Sequence, residues 1–431
     1  MEKRILRVVL LTIVLLCLAG GTAAAAEPDF DIHARGVYMV NTDSGEAVYA
    51  KDADKVMYPA SLTKIITAIL ALESVKHPAQ EQITVPEGLL DDLYVRGASQ
   101  VGLIPGEVVN MQDLLYAAML PSGCDAALVI AWHLGQGDVD AFIKRMNDRA
   151  RELGALNTNF VNPHGLHEPA QVSTPYDIYK LSSHALSMPE FREIVSSPVY
   201  TMQATNKNEA RRIYSTNALM DASNSWHDER VSGIKSGFTS QAGRCLVSSA
   251  SFDGSEYLLV VMGANLDQPP VSSIQPNMAY RDTVNLYDWA FENFTLYRLT
   301  TKGEVLSQLT VKGGKQKTVD LLAGSDCSTL LEAGENPIFI NTEFNVVNKT
   351  RAPIEKGQLE GKVNFTLNGE ALGSVDLLTA QEVKRAWLKP IVITLLVILA
   401  LIYFIDRFRR RRREKSIFSG GEPRQYQDLA R

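Results

Sequence analysis

The chain has 431 residues, of which 45% are hydrophobic and 21% are charged, and its formal net charge is −6 at pH 7. A chain of this length can bury one large hydrophobic core and one small one, so it does not require disulfide bonds for stability. Both termini are basic, so the acidic charge lies between residues 27 and 406. This acidic body argues against nucleic acid or another polyanion as a ligand.

The N-terminal segment has the pattern of a secretory signal peptide. Lys3, Arg4 and Arg7 accompany an apolar run that extends to Leu18, and small residues follow up to Ala26. We expect cleavage after Ala26, so that residues 1–26 are absent from the mature protein. The four cysteines then become three, and an odd number in an exported protein speaks against a disulfide framework.

The first elements predicted after the signal peptide are a β-hairpin and an apolar helix. Residues 34–40 and 46–50 have strand composition and are joined by a turn-rich connection. The segment 58–73 has a helical pattern with little polar face, so this helix is expected to lie at the centre of a domain. From residue 87 to residue 225 the pattern is mainly helical, which predicts a helical lobe.

Strand signals return after this helical region. Residues 233–234, 245–251 and 257–262 have strand composition, and an amphipathic helix follows over residues 283–294. Strands from both ends of the segment 27–297 must therefore pair in one sheet. We predict an α/β domain in which helices sandwich an antiparallel sheet and a helical lobe is inserted.

The C-terminal part has a different composition. Short β-rich runs separated by Gly, Asn and Lys predict a small β-rich domain over residues 298–385, which we interpret as a spacer. Residues 388–405 are almost purely apolar, and an arginine cluster opens the tail 406–431. This pattern predicts one transmembrane helix, a cytoplasmic tail and an extracytoplasmic body. An amphipathic helix lying on the membrane is the alternative.

Three short motifs stand in one order along the chain. Ser61-Leu-Thr-Lys64 opens the apolar helix, Ser122-Gly-Cys124 follows in a break between two helical stretches, and Lys235–Gly237 lies on a predicted strand. Any one of these motifs alone is weak evidence. Together they predict a serine nucleophile with its own amine base, a second hydroxyl, and a basic strand that holds a carboxylate.

The first motif has the spacing of an activated nucleophile. Lys64 lies one turn from Ser61 on the same helix face, so its amine can reach the hydroxyl. Burial among aliphatic neighbours disfavours the ammonium form, which allows the amine to act as a base. The alternative is an ordinary serine near a helix start, with a lysine that extends to solvent.

The other two motifs also have ordinary structural interpretations. Ser122 could present its hydroxyl to a cleft or cap the helix that follows, and both are possible only if the hydroxyl is free to point into the cleft. Lys235 either supplies charge for an anionic group, with hydroxyls from Ser236 and Thr239, or is an edge-strand lysine that discourages aggregation. Gly237 would allow a substrate backbone to lie close against the strand.

Several landmarks in the chain resemble those of one protein family. These are residues 58–67, Asn157–Leu166 (NTNFVNPHGL), Thr216–Leu219 (TNAL) and Gly233–Leu246 (GIKSGFTSQAGRCL). They are similar to the low-molecular-mass penicillin-binding proteins, the serine D-alanyl-D-alanine carboxypeptidases, over roughly residues 29–294. The resemblance implies the penicillin-binding, β-lactamase-like transpeptidase fold. A small β domain and a C-terminal membrane attachment also accord with that family.

The resemblance also implies roles for individual residues. Ser61 would be the acylated nucleophile and Lys64 its general base, while Ser122 would relay a proton to the departing D-alanine. The backbone N–H groups of Ser61 and Phe238 would form the oxyanion hole. The substrate would be bound by Cys124, Lys235, Ser236, Gly237, Phe238, Thr239 and Arg281, the last of which would hold the terminal carboxylate.

Two positions depart from the family pattern. Ser236 replaces the usual threonine and keeps the hydroxyl, so we expect little effect. Cys124 stands where the family has asparagine, and a thiol cannot donate and accept hydrogen bonds as a carboxamide does. The loss of one such contact would cost about 1 to 3 kcal/mol of transition-state binding.

The function predicted from the sequence is that of an exported, membrane-tethered serine peptidase. It would remove the C-terminal D-alanine from peptidoglycan stem pentapeptides through an acyl-enzyme, require no cofactor, and be covalently inhibited by β-lactams. A serine β-lactamase and a wall-binding homologue impaired by Cys124 are the alternatives. A zinc peptidase is not favoured, because His164, His167 and Glu168 match neither H-E-x-x-H nor its inverse, and no metal site is expected.

Overall fold

The computed structural model describes residues 27–266, 277–346 and 349–418. The predicted signal peptide and the end of the predicted tail lie outside the described residues. The chain divides into two compact units, residues 1–298 with 328–338, and residues 299–327 with 339–431.

The described residues contain strands of three to ten residues and helices of five to 31 residues. The strands are β1 (Gly36–Asn41), β2 (Ala47–Lys51), β3 (Gln82–Thr84), β4 (Val108–Asn110), β5 (Val199–Met202), β6 (Arg211–Tyr214), β7 (Val231–Thr239), β8 (Gly243–Phe252), β9 (Ser255–Ala264), β10 (Phe294–Thr300), β11 (Val305–Lys312), β12 (Thr318–Ala323), β13 (Cys327–Glu332), β14 (Asn341–Val346), β15 (Lys349–Arg351), β16 (Leu359–Leu367) and β17 (Glu370–Thr379). The helices are α1 (Lys64–Ser74), α2 (Asp91–Val95), α3 (Met111–Met119), α4 (Cys124–Leu134), α5 (Val139–Glu152), α6 (Pro175–Leu186), α7 (Pro189–Ser196), α8 (Met278–Asn293) and α9 (Leu388–Phe418).

The first unit is built around a five-stranded antiparallel sheet in the order β2-β1-β9-β8-β7. Successive side chains of a strand point to opposite faces, and β9 follows this rule. Leu258 and Val260 pack in the hydrophobic cluster of the helical lobe, whereas Tyr257 and Leu259 pack in a second cluster with α8. Helices therefore cover both faces of the sheet, which confirms the predicted α/β sandwich.

Helix α1 lies at the centre of the helical lobe. Every residue from Lys64 to Ala71 is buried, because this segment offers almost no polar face to solvent. The helix was predicted from residue 58, but Ala60–Thr63 instead forms a 3₁₀ turn that leads into it. Ala60 has a φ of 47°, so the chain enters this turn through a left-handed residue.

The second unit contains a six-stranded sheet in the order β14-β16-β17-β12-β11-β15. Its strands pair antiparallel except for β11 with β15. This sheet confirms the predicted β-rich domain, although strand β17 was not located from the sequence. Asn368 and Gly369 both have positive φ in the short turn between β16 and β17, and such an Asn-Gly pair is a hairpin signal that could have found the strand.

Helix α9 ends the described chain and has 31 residues. Residues 391–411 of this helix are long and apolar enough to cross a membrane, and they are exposed throughout. The described helix thus extends beyond the predicted span of residues 388–405 into the arginine cluster.

Candidate active site

The 3₁₀ turn and the first residue of α1 bring a hydroxyl and an amine together. The Lys64 Nζ lies 3.2 Å from the Ser61 Oγ. The same amine donates a hydrogen bond of 2.6 Å to the His164 carbonyl oxygen and lies 3.4 Å from the Cys124 Sγ. The first two predicted motifs therefore meet at one amine group.

The Lys64 side chain is fully buried, so it does not extend to solvent. Burial lowers the pKa of the Lys64 amine, because a charged ammonium loses its hydration inside the protein. Cys124 and Asp125 act in the opposite direction and offset only part of this effect. A buried amine at hydrogen-bond distance from a serine hydroxyl has the arrangement required of a general base.

Ser122 lies in the loop between α3 and α4 with a φ of 68°. The residue that caps helix α4 is Gly123, so the capping role considered for Ser122 is wrong. Its hydroxyl has no hydrogen-bond partner within the described part of the chain, which leaves it available to a ligand. The loop is fixed after Ser122 by the bonds of the Gly123 N–H to the Ala117 carbonyl and of the Cys124 N–H to the Ser99 carbonyl. Before Ser122, the Ser99 hydroxyl donates to the Pro121 carbonyl at 3.0 Å.

Asp125 ties a neighbouring loop to the helix that carries Cys124. Its buried carboxylate accepts hydrogen bonds from the backbone N–H groups of Val101, Gly102 and Leu103. The pKa of this carboxyl is raised, because the effect of burial exceeds the opposite effect of the backbone donors. Since helix α4 and the loop share this carboxylate, they hold Cys124 in a fixed position.

The third motif lies on β7, at the edge of the five-stranded sheet. Lys235 is only 1% exposed, so it is not the exposed edge-strand lysine considered as an alternative. Burial and the nearby Lys64 hold the pKa of Lys235 well below its ordinary value, and its Nζ donates to the Ser236 carbonyl at 2.9 Å. The Ser236 hydroxyl lies 2.7 Å from the Thr216 hydroxyl.

Gly237 brings strand β7 against the 3₁₀ turn that carries Ser61. A Cβ atom at this position would lie 3.0 Å from the Ser61 backbone nitrogen, so a larger residue would press on the turn. The next residue, Phe238, is 60% exposed, and the Arg244 guanidinium lies 5.2 Å from the centre of its ring. Thr239 accepts a hydrogen bond from the Ala242 N–H and thereby stabilises the turn between β7 and β8.

Arg281 is exposed near the start of helix α8. Among the described residues, no hydrogen bond or ion pair joins its side chain to the other predicted site residues, and its proposed contact with a carboxylate stays a prediction. Sequence reasoning gave no role to Arg244 or Thr216, although both stand inside the quoted landmarks. Arg244 lies directly opposite Phe238 in the β7–β8 register, whereas Thr216 lies outside the strands and contacts β7 through the Ser236 hydroxyl.

The segment after residue 157 supports the site through its backbone. The His164 ring accepts a hydrogen bond from the Leu166 N–H, and burial lowers the pKa of His164 to about 3, so the ring is neutral. Gly165 has a φ of 86°, and a Cβ atom there would lie 1.9 Å from the Ala60 carbonyl oxygen. This glycine therefore permits the close contact that supports the 3₁₀ turn that carries Ser61.

Replacement of Gly165 by alanine is expected to destabilise the protein and displace Ser61. The left-handed backbone costs about 1 to 2 kcal/mol for alanine, and the overpacking adds about 1 to 3 kcal/mol. The control is Gly154→Ala, because Gly154 has a similar φ of 84° but no atom near its missing Cβ. Urea unfolding and peptidase assays should show a larger loss for Gly165→Ala. Equal losses in both variants would show that the contact with Ala60 has no role.

The fold and the arrangement of Ser61, Lys64 and Lys235 define a serine peptidase of the penicillin-binding type. The chain belongs to the D-alanyl-D-alanine carboxypeptidase family, whose model matches residues 22–266. Residues 294–385 match the C-terminal domain of penicillin-binding protein 5.

Individual relatives agree with this assignment. The D-alanyl-D-alanine carboxypeptidase DacF of Bacillus subtilis is 28% identical over 392 residues, covering 89% of this chain and 95% of the relative. The crystal structure of penicillin-binding protein 5 from Haemophilus influenzae superposes with a TM-score of 0.69 at 28% identity, covering 84% of this chain and all of that one. The Streptomyces K15 DD-transpeptidase gives a TM-score of 0.55 at 30% identity, covering 61% of this chain and 98% of that one.

Proposed function

We propose that this protein removes the C-terminal D-alanine from peptidoglycan stem pentapeptides through an acyl-enzyme on Ser61. The contact between the buried Lys64 amine and the Ser61 hydroxyl is the observation that carries this proposal. The neutral amine takes the hydroxyl proton while the oxygen attacks the carbonyl of the terminal D-Ala-D-Ala bond. D-alanine leaves, and water then hydrolyses the ester to regenerate Ser61.

The remaining residues act on this reaction in defined ways. The Ser122 hydroxyl passes a proton to the departing amine, a role supported by its lack of a partner within the described residues. Lys235 orients the substrate and tunes the proton network around Lys64. The backbone N–H groups of Ser61 and Phe238 hold the oxyanion. Ser236, Thr239 and Arg281 bind the terminal carboxylate.

The same chemistry accounts for inhibition by β-lactams. A β-lactam carbonyl acylates Ser61 as the peptide does, but the ring-opened product stays attached to the enzyme. Helix α9 anchors the protein in the cytoplasmic membrane, with the peptidase outside the cell and the basic tail inside. The proposed biological function of the protein is therefore cell-wall maturation.

The purified full chain in detergent provides the test. With a D-Ala-D-Ala-terminated peptide it should release D-alanine, and with labelled penicillin it should gain a stable adduct on Ser61 by mass spectrometry. Sustained hydrolysis of penicillin would instead identify a β-lactamase. If the protein neither releases D-alanine nor forms the adduct, the peptidase proposal is wrong. The remaining interpretation is then a wall-binding homologue impaired by Cys124.

Replacement of Cys124 by asparagine is expected to accelerate acylation of Ser61. A carboxamide can both donate to a bound substrate and accept from Lys64, whereas the Cys124 sulfur at 3.4 Å from Lys64 is a weak partner. A gain of about 1 to 3 kcal/mol in transition-state binding corresponds to roughly 5- to 150-fold in kcat/KM. Cys124→Ala is the control and should not gain. An asparagine variant no faster than wild type would contradict the prediction.

A further inference from the structure

Charge in the β-rich unit is strongly segregated. Up to residue 387, this unit contains ten lysines and arginines and nine acidic residues. Eight of the ten cations lie in the short segments 312–317, 349–356 and 382–387, which contain only two of the nine acids. The rest of the unit is correspondingly acidic, so the segregation is not a consequence of overall composition.

The fold brings these three segments together. Lys312 and Arg351 are register partners on the paired strands β11 and β15. The Lys315 N–H donates to the Lys384 carbonyl, and the Arg385 Nε donates to the Ala352 carbonyl, each at 2.8 Å. These contacts make the three segments neighbours in the fold. We call their eight cationic residues together the basic face: Lys312, Lys315, Lys317, Lys349, Arg351, Lys356, Lys384 and Arg385.

All eight side chains of the basic face are exposed. Within the described residues, Lys384 is the one member with an acidic partner, Glu382, at 3.7 Å. Glu355 is the other acid in these segments. Neighbouring like charges repel one another, so contact with an external anionic surface would stabilise the basic face.

The chain leaves the basic face directly into helix α9. Trp387 follows Arg385 after one residue and is 63% exposed, and the Arg385 guanidinium lies 5.8 Å from the centre of its ring. Tryptophan favours the interface between a bilayer and water. Because Leu388 begins the apolar helix, the basic face lies where that helix would enter the bilayer.

We propose that the basic face binds the anionic phospholipid surface of the membrane that holds helix α9. This inference rests on the proposed anchoring function of that helix. Phosphate headgroups neutralise the face, and each lysine or arginine near such a surface strengthens the attraction about fivefold. The contact orients the β-rich unit on the bilayer, so that the unit is a headgroup-binding module as well as a spacer.

Acetylation of lysines tests the proposal on the full chain in nanodiscs. Discs of phosphatidylcholine are compared with discs that also contain phosphatidylglycerol, and the rate at each lysine is followed by mass spectrometry. Lys315 and Lys317 should react about fivefold more slowly in the anionic discs, while Lys302 and Lys362 should not change. High salt should remove the protection, because the Debye length falls to about 3 Å at 1 M.

A matched pair of variants separates the effect of the basic face from the effect of the net charge of the unit. Lys315→Gln with Lys317→Gln should restore rapid acetylation of Lys312 in anionic discs. Lys302→Gln with Lys362→Gln removes the same charge from the same unit and should leave Lys312 protected.

Three outcomes would overturn the proposal. If the acetylation rates are equal in both kinds of disc while the chain remains inserted, the proposed lipid binding is wrong, but the proposed anchoring by helix α9 is not affected. Protection by soluble polyphosphate but not by anionic lipid would assign the face to an anionic wall polymer. A chain that dissociates from the discs would overturn the anchoring function and this proposal with it.

Discussion

Replacement of Ser61 by alanine is expected to abolish both D-alanine release and the covalent penicillin adduct. Without the hydroxyl there is no atom to form the ester, and the remaining groups can only bind the substrate. Removal of the nucleophile in a serine peptidase costs about 10⁴- to 10⁶-fold in kcat. The Ser61 side chain bonds Lys64, and its loss leaves no large cavity, so the variant should remain folded.

The chain contains its own control for this variant. Ser232 also stands three residues before a lysine, in a second S-x-x-K sequence, but it lies on β7 rather than on the 3₁₀ turn that carries Ser61. Ser232→Ala should retain the adduct and the peptidase activity. If Ser61→Ala still gains the mass of the penicillin, another residue is the nucleophile and the proposed mechanism is wrong.

Replacement of Lys64 by methionine should reduce acylation by about 10²- to 10⁴-fold, the usual contribution of a general base. In the proposed mechanism the neutral amine of Lys64 is the active form. The acylation rate should therefore rise with pH through the lowered pKa of Lys64 and level off above it. The methionine variant should lose this rising limb. A rising limb that survives in Lys64→Met would assign the base to another group.

The same substitution should change how stability depends on pH. The Lys64 pKa is lower in the folded state than in the unfolded state, so the unfolded chain binds more protons between the two values. The free energy of unfolding contributed by Lys64 therefore rises with pH over that interval, up to about 10.4. Urea unfolding from neutral pH to pH 10 should show a smaller rise for Lys64→Met. Lys55→Met, at an exposed position, should behave like wild type.

Patterns within short segments predicted much of the fold and the main site residues. The apolar run after Ser61 indicated a central helix because nearly every position in it was hydrophobic. The α/β sandwich followed from strand signals at both ends of the catalytic segment. The buried position of Lys64 also agrees with what its aliphatic neighbours in the sequence suggested, whereas the burial of Lys235 was not predicted.

Features that depend on distant parts of the chain could not be predicted in this way. The contact of Gly165 with Ala60 joins residues about a hundred positions apart, and neither local sequence reveals it. The placement of Arg244 beside Phe238 depends on the register of β7 with β8. Similarly, the basic face of the β-rich unit arises from three segments that only the sheet topology brings together.

The burial of Lys64 links the chemical reactivity of the site to the folding of the chain. In an unfolded chain this amine is hydrated and protonated at neutral pH, so it cannot accept the serine proton. Its partners, Cys124 and the His164 carbonyl, arrive from segments that are synthesised 60 and 100 residues later. If Ser61 is the nucleophile, it therefore remains unreactive until these segments have folded together. Labelling with penicillin would therefore detect only molecules that have folded completely.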